Sequence, residues 1–276
     1  LFMSLMPNSE PKPAATVLMV RESKSGPEVF MVTRHHQIDF AAGALVFPGG
    51  KLDTEDSNAG FVESAGDELS AEELAVRVCG IRETFEEAGV LFARDNKTGD
   101  LIDGNRCVEL ARLYRERLHS GEITLLEIVR GEDLSLAYDQ LLLFARWVTP
   151  SFFTRRFDAS FFLVKAPKDY IATHDDVESI DSIWVEPKVA LADADAGRKT
   201  IVFATRMNLQ KLARYQNTKE MFKATEANEI FIVEPGYEEK NGDITFTIPI
   251  EAGYGITEYT EYGGPSLKIK GESNNG

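Results

Sequence analysis

Within nine consecutive residues, Arg82-Glu83-Thr84-Phe85-Glu86-Glu87-Ala88-Gly89-Val90, the chain sets three carboxylates and one guanidinium at helical spacing. Glutamates three and four positions apart repel by a few tenths of a kcal/mol each, and near the C-terminal end of a helix the macrodipole disfavours anions as well. Something cationic should therefore offset this string. Oxygen-only donors on one face suit a hard divalent cation, Mg²⁺ or Mn²⁺, which keeps several waters and favours phosphate ligands. The same residues also read as a solvated acidic face tied by Arg82–Glu86 pairing, and the helix alone does not choose between the two.

The positioning element is the best helix signal in the sequence. Ser70 with Glu73 forms a capping box, and Gly89 suits a left-handed stop after Ala88. With Glu83 at 0° and roughly 100° per residue, Leu74, Val78, Ile81, Phe85 and Ala88 fall between about 140° and 220°. Glu86 lies near −60° and Glu87 near 40°, so the three carboxylates crowd the arc opposite that apolar stripe.

Upstream, Ala15–Arg21 and Glu28–Thr33 are β-branched and apolar, and the turn residues between them predict a hairpin. A third apolar stretch, Ala44–Phe47, stops at Pro48-Gly49-Gly50. Residues 51–69 have loop composition, and residues 57–69 are expected to be an exposed loop on the approach to the site. Residues 105–143 read as helical in three pieces, the last over Leu134–Leu143. Strands are expected at Phe144–Val148, Ser160–Val164 and Ser182–Val185, a helix opens at Pro187, and Asn208–Ala224 is a final amphipathic helix. The expected organisation is a flexible lead-in (1–13), one domain (14–227) and an appended, partly disordered extension (228–276).

Thirty basic residues against forty-five acidic ones, a net charge of −15, argue against a partner held through phosphate backbones or a polybasic membrane anchor. No apolar run approaches the roughly 20 residues of a membrane span. Cys79 and Cys107 stand 28 positions apart without a CxxC partner, which points away from a disulfide framework or zinc and towards a reducing compartment.

Pro48-Gly49-Gly50 followed by RE-x-x-EE-x-G-V resembles the box of the Nudix hydrolases, G-x5-E-x7-REUXEEXGU, where U is bulky and aliphatic. The motif's glycine falls on Gly50, its Arg-Glu on Arg82 and Glu83, its paired glutamates on Glu86 and Glu87, and its last two positions on Gly89 and Val90. Three departures stand out. The first glutamate falls on Asp56, Thr84 occupies a position that is usually apolar, and 25 residues separate Asp56 from Arg82 where the family has seven. The split box, with Trp147-Val148-Thr149-Pro150 and Arg155-Arg156-Phe157-Asp158, is similar to the branch that includes peroxisomal coenzyme A diphosphatases of animals. The resemblance covers about residues 14–216.

That resemblance implies an α+β fold, an α/β/α sandwich around a mixed sheet. It also implies metal-dependent hydrolysis of the pyrophosphate in a nucleoside diphosphate linked to another group, with coenzyme A or an acyl-coenzyme A favoured over ADP-ribose or NADH. A Nudix-fold nucleotide sensor is the alternative, and it would often have lost one of the three glutamates. Glu86 and Glu87 are the first expected metal ligands. Glu83 is a third ligand or the base, Arg82 orients the carboxylates, and a carbonyl of Gly49 or Gly50 completes the coordination. A late loop acid often serves as base, and Glu178, ahead of Trp184, has that spacing; a solvated loop acid is the other reading. His174, His35 and His36 read as surface residues. One of Arg155 and Arg156 could meet a phosphate, or pair structurally with Asp158. A small nucleotide is the expected partner, homodimers are common in the family, and the cytoplasm is the expected location because the sequence does not end in an SKL-like address.

Overall fold

The computed structural model describes residues 10–34, 43–65, 69–151, 153, 155–170 and 179–261. Strands β1 (Lys12–Ser23) and β2 (Gly26–Arg34) form the expected hairpin. Two short strands follow, β3 (Leu45–Val46) and β4 (Gly49–Lys51). After α1 (Ala59–Ala65) comes α2 (Ala71–Ala88), with the Ser70–Glu73 capping box and Gly89 at φ 71° as predicted. A small hairpin of β5 (Ala93–Asp95) and β6 (Leu134–Leu136) encloses α3 (Gly104–His119) and α4 (Leu125–Gly131). Strands β7 (Leu142–Val148), β8 (Phe157–Lys165) and β9 (Ser179–Val185) follow, then α5 (Pro187–Asp195), α6 (Phe203–Leu212) and α7 (Thr218–Glu226). The chain closes with β10 (Ile232–Val233) and a sheet of β11 (Gly236–Lys240), β12 (Asp243–Thr247) and β13 (Glu258–Glu261).

The main sheet runs β10-β7-β8-β1-β2-β3, with β4 added to β1 and β9 to β2. It is mixed: β1 lies parallel to β8 and antiparallel to β2 and β4. Successive residues of β1 point to opposite faces. Val17 and Met19 meet α2, α3 and α4 in one buried cluster, while Leu18 and Val20 meet α5, α6 and α7 in another. This is the expected α/β/α sandwich.

Four expectations about elements are overturned. Residues 57–69 are not a plain loop: 59–65 are helical, and Phe61 is buried in the α2 cluster. Leu134–Leu143 is not a helix. Leu134–Leu136 pairs with β5, and Leu142 already belongs to β7, because the sheet takes up the leucines' apolar surface. Asn208–Ala224 breaks after Leu212 and restarts at Asn217, whose side chain accepts from Glu220 N. The described part of the extension, residues 228–261, is no appendage either, and the final GESNNG, expected to be disordered, lies outside the described residues. Strand β10 pairs with β7, Ile244, Phe246 and Tyr254 are buried against α6, and Phe203 stacks on Phe246 at 4.3 Å.

Candidate metal and catalytic site

The site is built where β4 crosses the last turns of α2. β4 can lie close because Gly49 and Gly50 bring no side chains: a Cβ on Gly50 would stand 2.3 Å from Glu83 Oε1, and one on Gly49, whose φ is +156°, would stand 2.3 Å from the Ala15 carbonyl oxygen. The register Ala15↔Gly50 and Thr16↔Gly49 fixes β4 on β1. Gly49 N–H then donates to Glu87 Oε2 at 3.0 Å. The carboxylate arc is consequently not solvated: Glu83 and Glu87 are buried, although the stripe Leu74, Val78, Ile81, Phe85 and Ala88 faces the core on the other side as predicted. Thr84, at the position expected to be apolar, is fully buried and satisfies its hydroxyl on the Gly80 carbonyl at 2.7 Å.

Arg82 is the hub. Its Nε and Nη2 grip both oxygens of Asp56 at 2.8 and 2.9 Å, and Nη1 reaches Glu83 at 2.9 Å and Glu86 at 3.0 Å. Nη2 also donates to the Lys51 carbonyl. Asp56 is almost wholly buried, at 2% exposure. A capping box on the 3₁₀ turn Thr54–Ser57 holds it, with Asp53 N–H donating to Asp56 Oδ2 at 2.8 Å. Between Asp56 and Arg82 the chain forms α1 and the first turns of α2, and the acid still lies on Arg82. Burial works against the Arg82 charge, yet the Asp56 hydrogen bonds and the Glu83 and Asp56 charges outweigh it and raise its pKa. Nearby, burial first, and then the Asp56 and Glu83 charges, push the Cys79 thiol well up. Both cysteines are free and buried.

The cationic compensation that the helix end calls for comes from Arg115 on α3, whose Nε donates to the Glu86 carbonyl at 2.6 Å, and the Tyr170 hydroxyl donates to the Ala88 carbonyl. Neither residue carries a signal in the sequence that marks it for this role, since both reach α2 only through the fold. Of the other expected residues, Glu178, His174, His35 and His36 lie outside the described residues. Arg156 donates to the Thr149 carbonyl at 2.9 Å and pairs with Glu234 at 3.1 Å. Arg155 is exposed just before β8, five residues ahead of Ser160, which pairs with Ala15. Asp158 is gripped by Arg146, not by Arg155 or Arg156, at 2.6 and 2.7 Å.

As a donor set for a divalent cation, the chemistry fits. Asp56, Glu83 and Glu86 meet the Arg82 guanidinium, and Glu87 is held beside them by the Gly49 N–H, under a strand whose Gly50 carbonyl accepts from Cys79 Sγ at 3.7 Å. Among the described residues no three acidic, His or Cys side chains already converge on one point. The glutamates rest on Arg82 and Gly49 N–H, so a cation would draw them off these partners.

One solved structure shares this fold, and two sequence relatives resemble the chain. A crystal structure of a NUDIX hydrolase from Alicyclobacillus acidocaldarius superposes with a TM-score of 0.63 at 23% identity, covering 78% of this chain and 96% of that one. A Caenorhabditis elegans protein bearing a nudix hydrolase name is 27% identical over 187 residues, 67% of this chain and 55% of that one. The acyl-coenzyme A diphosphatase NUDT19 of Xenopus laevis is 22% identical over a 245-residue alignment covering 74% of this chain and 64% of that one. The chain thus spans between about half and two thirds of the length of these curated relatives. The model of the NUDT19 Nudix domain matches residues 62–204, just over half of the sequence and including the Arg82–Val90 string. With the sandwich, the glycine strand over α2 and this match, the chain belongs to the NUDT19 Nudix domain family.

Proposed function

We propose that the chain is a divalent-metal-dependent pyrophosphohydrolase that cleaves a nucleoside diphosphate linked to another group, with coenzyme A or an acyl-coenzyme A as its substrate. The carrying observation is that Asp56, Glu83 and Glu86 gather on Arg82, with Glu87 held beside them by the Gly49 N–H. Glu83, Glu86 and Glu87 would hold Mg²⁺ or Mn²⁺ with the Gly50 carbonyl. When bound, the metal neutralises the pyrophosphate and lowers the pKa of an attacking water.

The chain's own groups have separate tasks in this reading. Asp56 fixes Arg82, and Arg82 sets the rotamers of Glu83 and Glu86. Glu178 takes the water proton as general base, and Arg155 meets a phosphate. The name of the Xenopus laevis relative supports the choice of coenzyme A.

The test is a Mg²⁺-supported hydrolysis panel over coenzyme A, acetyl-coenzyme A, ADP-ribose and NADH, with phosphate-bearing products identified by mass. Fastest turnover of the coenzyme A compounds, split at the diphosphate, agrees with the proposal; preference for ADP-ribose or NADH refutes the substrate, and no hydrolysis refutes the activity. Glu178→Gln should lower kcat by about 10²–10⁴-fold without changing the Mg²⁺ requirement. Rescue of that variant by added metal would make Glu178 a ligand instead.

A further inference from the structure

The last four carbonyls of a helix have no partner within it, and at the end of α2 they belong to Phe85, Glu86, Glu87 and Ala88. The Phe85 carbonyl accepts the Gly89 N–H at 2.9 Å. Those of Glu86 and Ala88 accept from side chains that the fold brings in, Arg115 Nε at 2.6 Å and the Tyr170 hydroxyl.

The two donors are tied to one element. At the start of α3, Gly104 N–H donates to the Lys168 carbonyl at 2.8 Å, and a Cβ on Gly104 would stand 2.5 Å from Tyr170 N and Cα. Arg115 follows on the same helix, about 16 Å along it at 1.5 Å per residue. Between them Cys107 Sγ meets the Leu91 carbonyl at 3.6 Å. Helix α3 therefore seats Tyr170 at one end and carries the guanidinium near the other, and it holds the chain on both sides of Gly89.

The consequence falls on Glu86. Its carboxylate rests on Arg82 Nη1 at 3.0 Å, the contact a divalent cation would replace. The Arg115 bond is made to its backbone and survives that exchange. Helix ends fray, whereas a metal ligand must be held to within about 0.5 Å. We propose that Arg115, assisted by Tyr170, is a positioning residue of the metal site, fixing the last turn of α2 so that Glu86 keeps its place when its carboxylate leaves Arg82. This rests on the reading of Glu83, Glu86 and Glu87 as metal ligands, and it adds residues which that reading does not contain.

Charge and position predict opposite signs. A guanidinium repels a nearby cation, so if Arg115 acted through its charge alone, its removal would tighten metal binding; if it holds the turn, its removal weakens binding. The experiment measures Mn²⁺ affinity without substrate, from the electron paramagnetic resonance signal of free Mn²⁺, together with Tm. It uses the full chain as wild type, Arg115→Met, Arg115→Lys, Tyr170→Phe and Cys107→Ala. Arg115→Met should weaken Mn²⁺ binding about 10–100-fold, the scale seen when a ligand loses its outer support, and Arg115→Lys, which keeps a cationic donor, should recover part of the loss. Tyr170→Phe should weaken binding in the same direction, while Cys107→Ala lowers Tm and keeps wild-type affinity. Unchanged or tighter binding in Arg115→Met overturns the proposal, as does equal weakening in Cys107→Ala, which would make affinity follow the stability of α3. If Arg115→Met does not fold, Arg115→Lys and Tyr170→Phe decide: weakened binding in both upholds the proposal, and wild-type affinity in either overturns it. Wild-type Mn²⁺ binding that these variants leave untouched keeps the metal reading and removes the positioning role; absence of Mn²⁺ binding in the wild type overturns both.

Discussion

Replacing Gly50 by alanine tests how tightly the strand sets the carboxylate. The added Cβ would meet Glu83 Oε1, Cδ and Oε2 at 2.3, 2.5 and 2.6 Å, whereas ordinary contact begins at 3.4 Å. The carboxylate must therefore retreat by about 1 Å, which breaks its 2.9 Å contact with Arg82 Nη1. A misplacement of about 1 Å in a reacting group costs on the order of 10²-fold in rate, or about 2.7 kcal/mol of barrier. The fold should lose less, about 1–3 kcal/mol for one extra methyl in a packed place, because the obstacle is the far end of a side chain. Gly49→Ala supplies the contrast. Its Cβ would meet backbone, the Ala15 oxygen at 2.3 Å and Thr16 Cα at 2.7 Å, at a φ of +156° that alanine avoids. There the β1–β4 pairing itself must part, and stability should fall further than in Gly50→Ala. Steady-state hydrolysis beside urea unfolding followed by circular dichroism reads both quantities. Wild-type kcat in Gly50→Ala would refute the claim that the Glu83 position governs the reaction.

Three further outcomes follow from the packing. Asp56→Asn keeps the shape but turns an N–H towards Arg82 Nη2. With Glu83 and Glu86 still present it should cost about 2–4 kcal/mol in urea unfolding, and a loss under 0.5 kcal/mol would remove Asp56 from the hub. Tyr254→Phe orphans Trp147 Nε1, which donates to that hydroxyl at 2.9 Å, and Asn208 Oδ1, which accepts from it at 2.9 Å. A loss of about 2 kcal/mol or more is expected, and an unchanged Tm would return the extension to the status of an appendage. Burial, with the Arg214 charge adding to it, lowers the Lys211 pKa. Between that lowered folded value and the unfolded value of about 10.4 the unfolded chain holds more protons, so this residue makes stability rise with pH, by at most about 1.4 kcal/mol per pH unit. The stability of wild type relative to Lys211→Met should therefore climb through that window, and parallel profiles would show that Lys211 titrates as if exposed.

Much of the fold could be read locally. Capping residues at Ser70 and Gly89 set both ends of α2, and its apolar stripe pointed to the right core. What a helical wheel misses is a second cover. It placed Glu83 and Glu87 opposite the core, and only the bare glycines of Pro48-Gly49-Gly50 hinted that a strand could bury them there. Asp56 looked remote at 25 residues from Arg82; sequence separation says nothing about an insertion that folds as its own helix and returns. Leucine-rich Leu134–Leu143 misled because a short apolar run carries no decisive period, and pairing with β5 decides its form. The tail's Gly, Glu, Tyr and Thr suggested an appendage, but the partners of Phe246 and Tyr254 are Phe203 and Trp147, some 40 and 107 positions away.

The carboxylates of α2 stand or fall on Glu86→Gln. Glutamine keeps the side-chain length and the helix but removes the charge that would hold a metal. Turnover of coenzyme A is measured across a Mg²⁺ titration for this variant and the wild type, with far-ultraviolet circular dichroism confirming the fold. The account predicts a wild-type rate that vanishes without Mg²⁺ and a folded variant slower by orders of magnitude at every Mg²⁺ concentration. Equal rates for the two proteins, or hydrolysis that persists when all divalent metal is chelated, would contradict it.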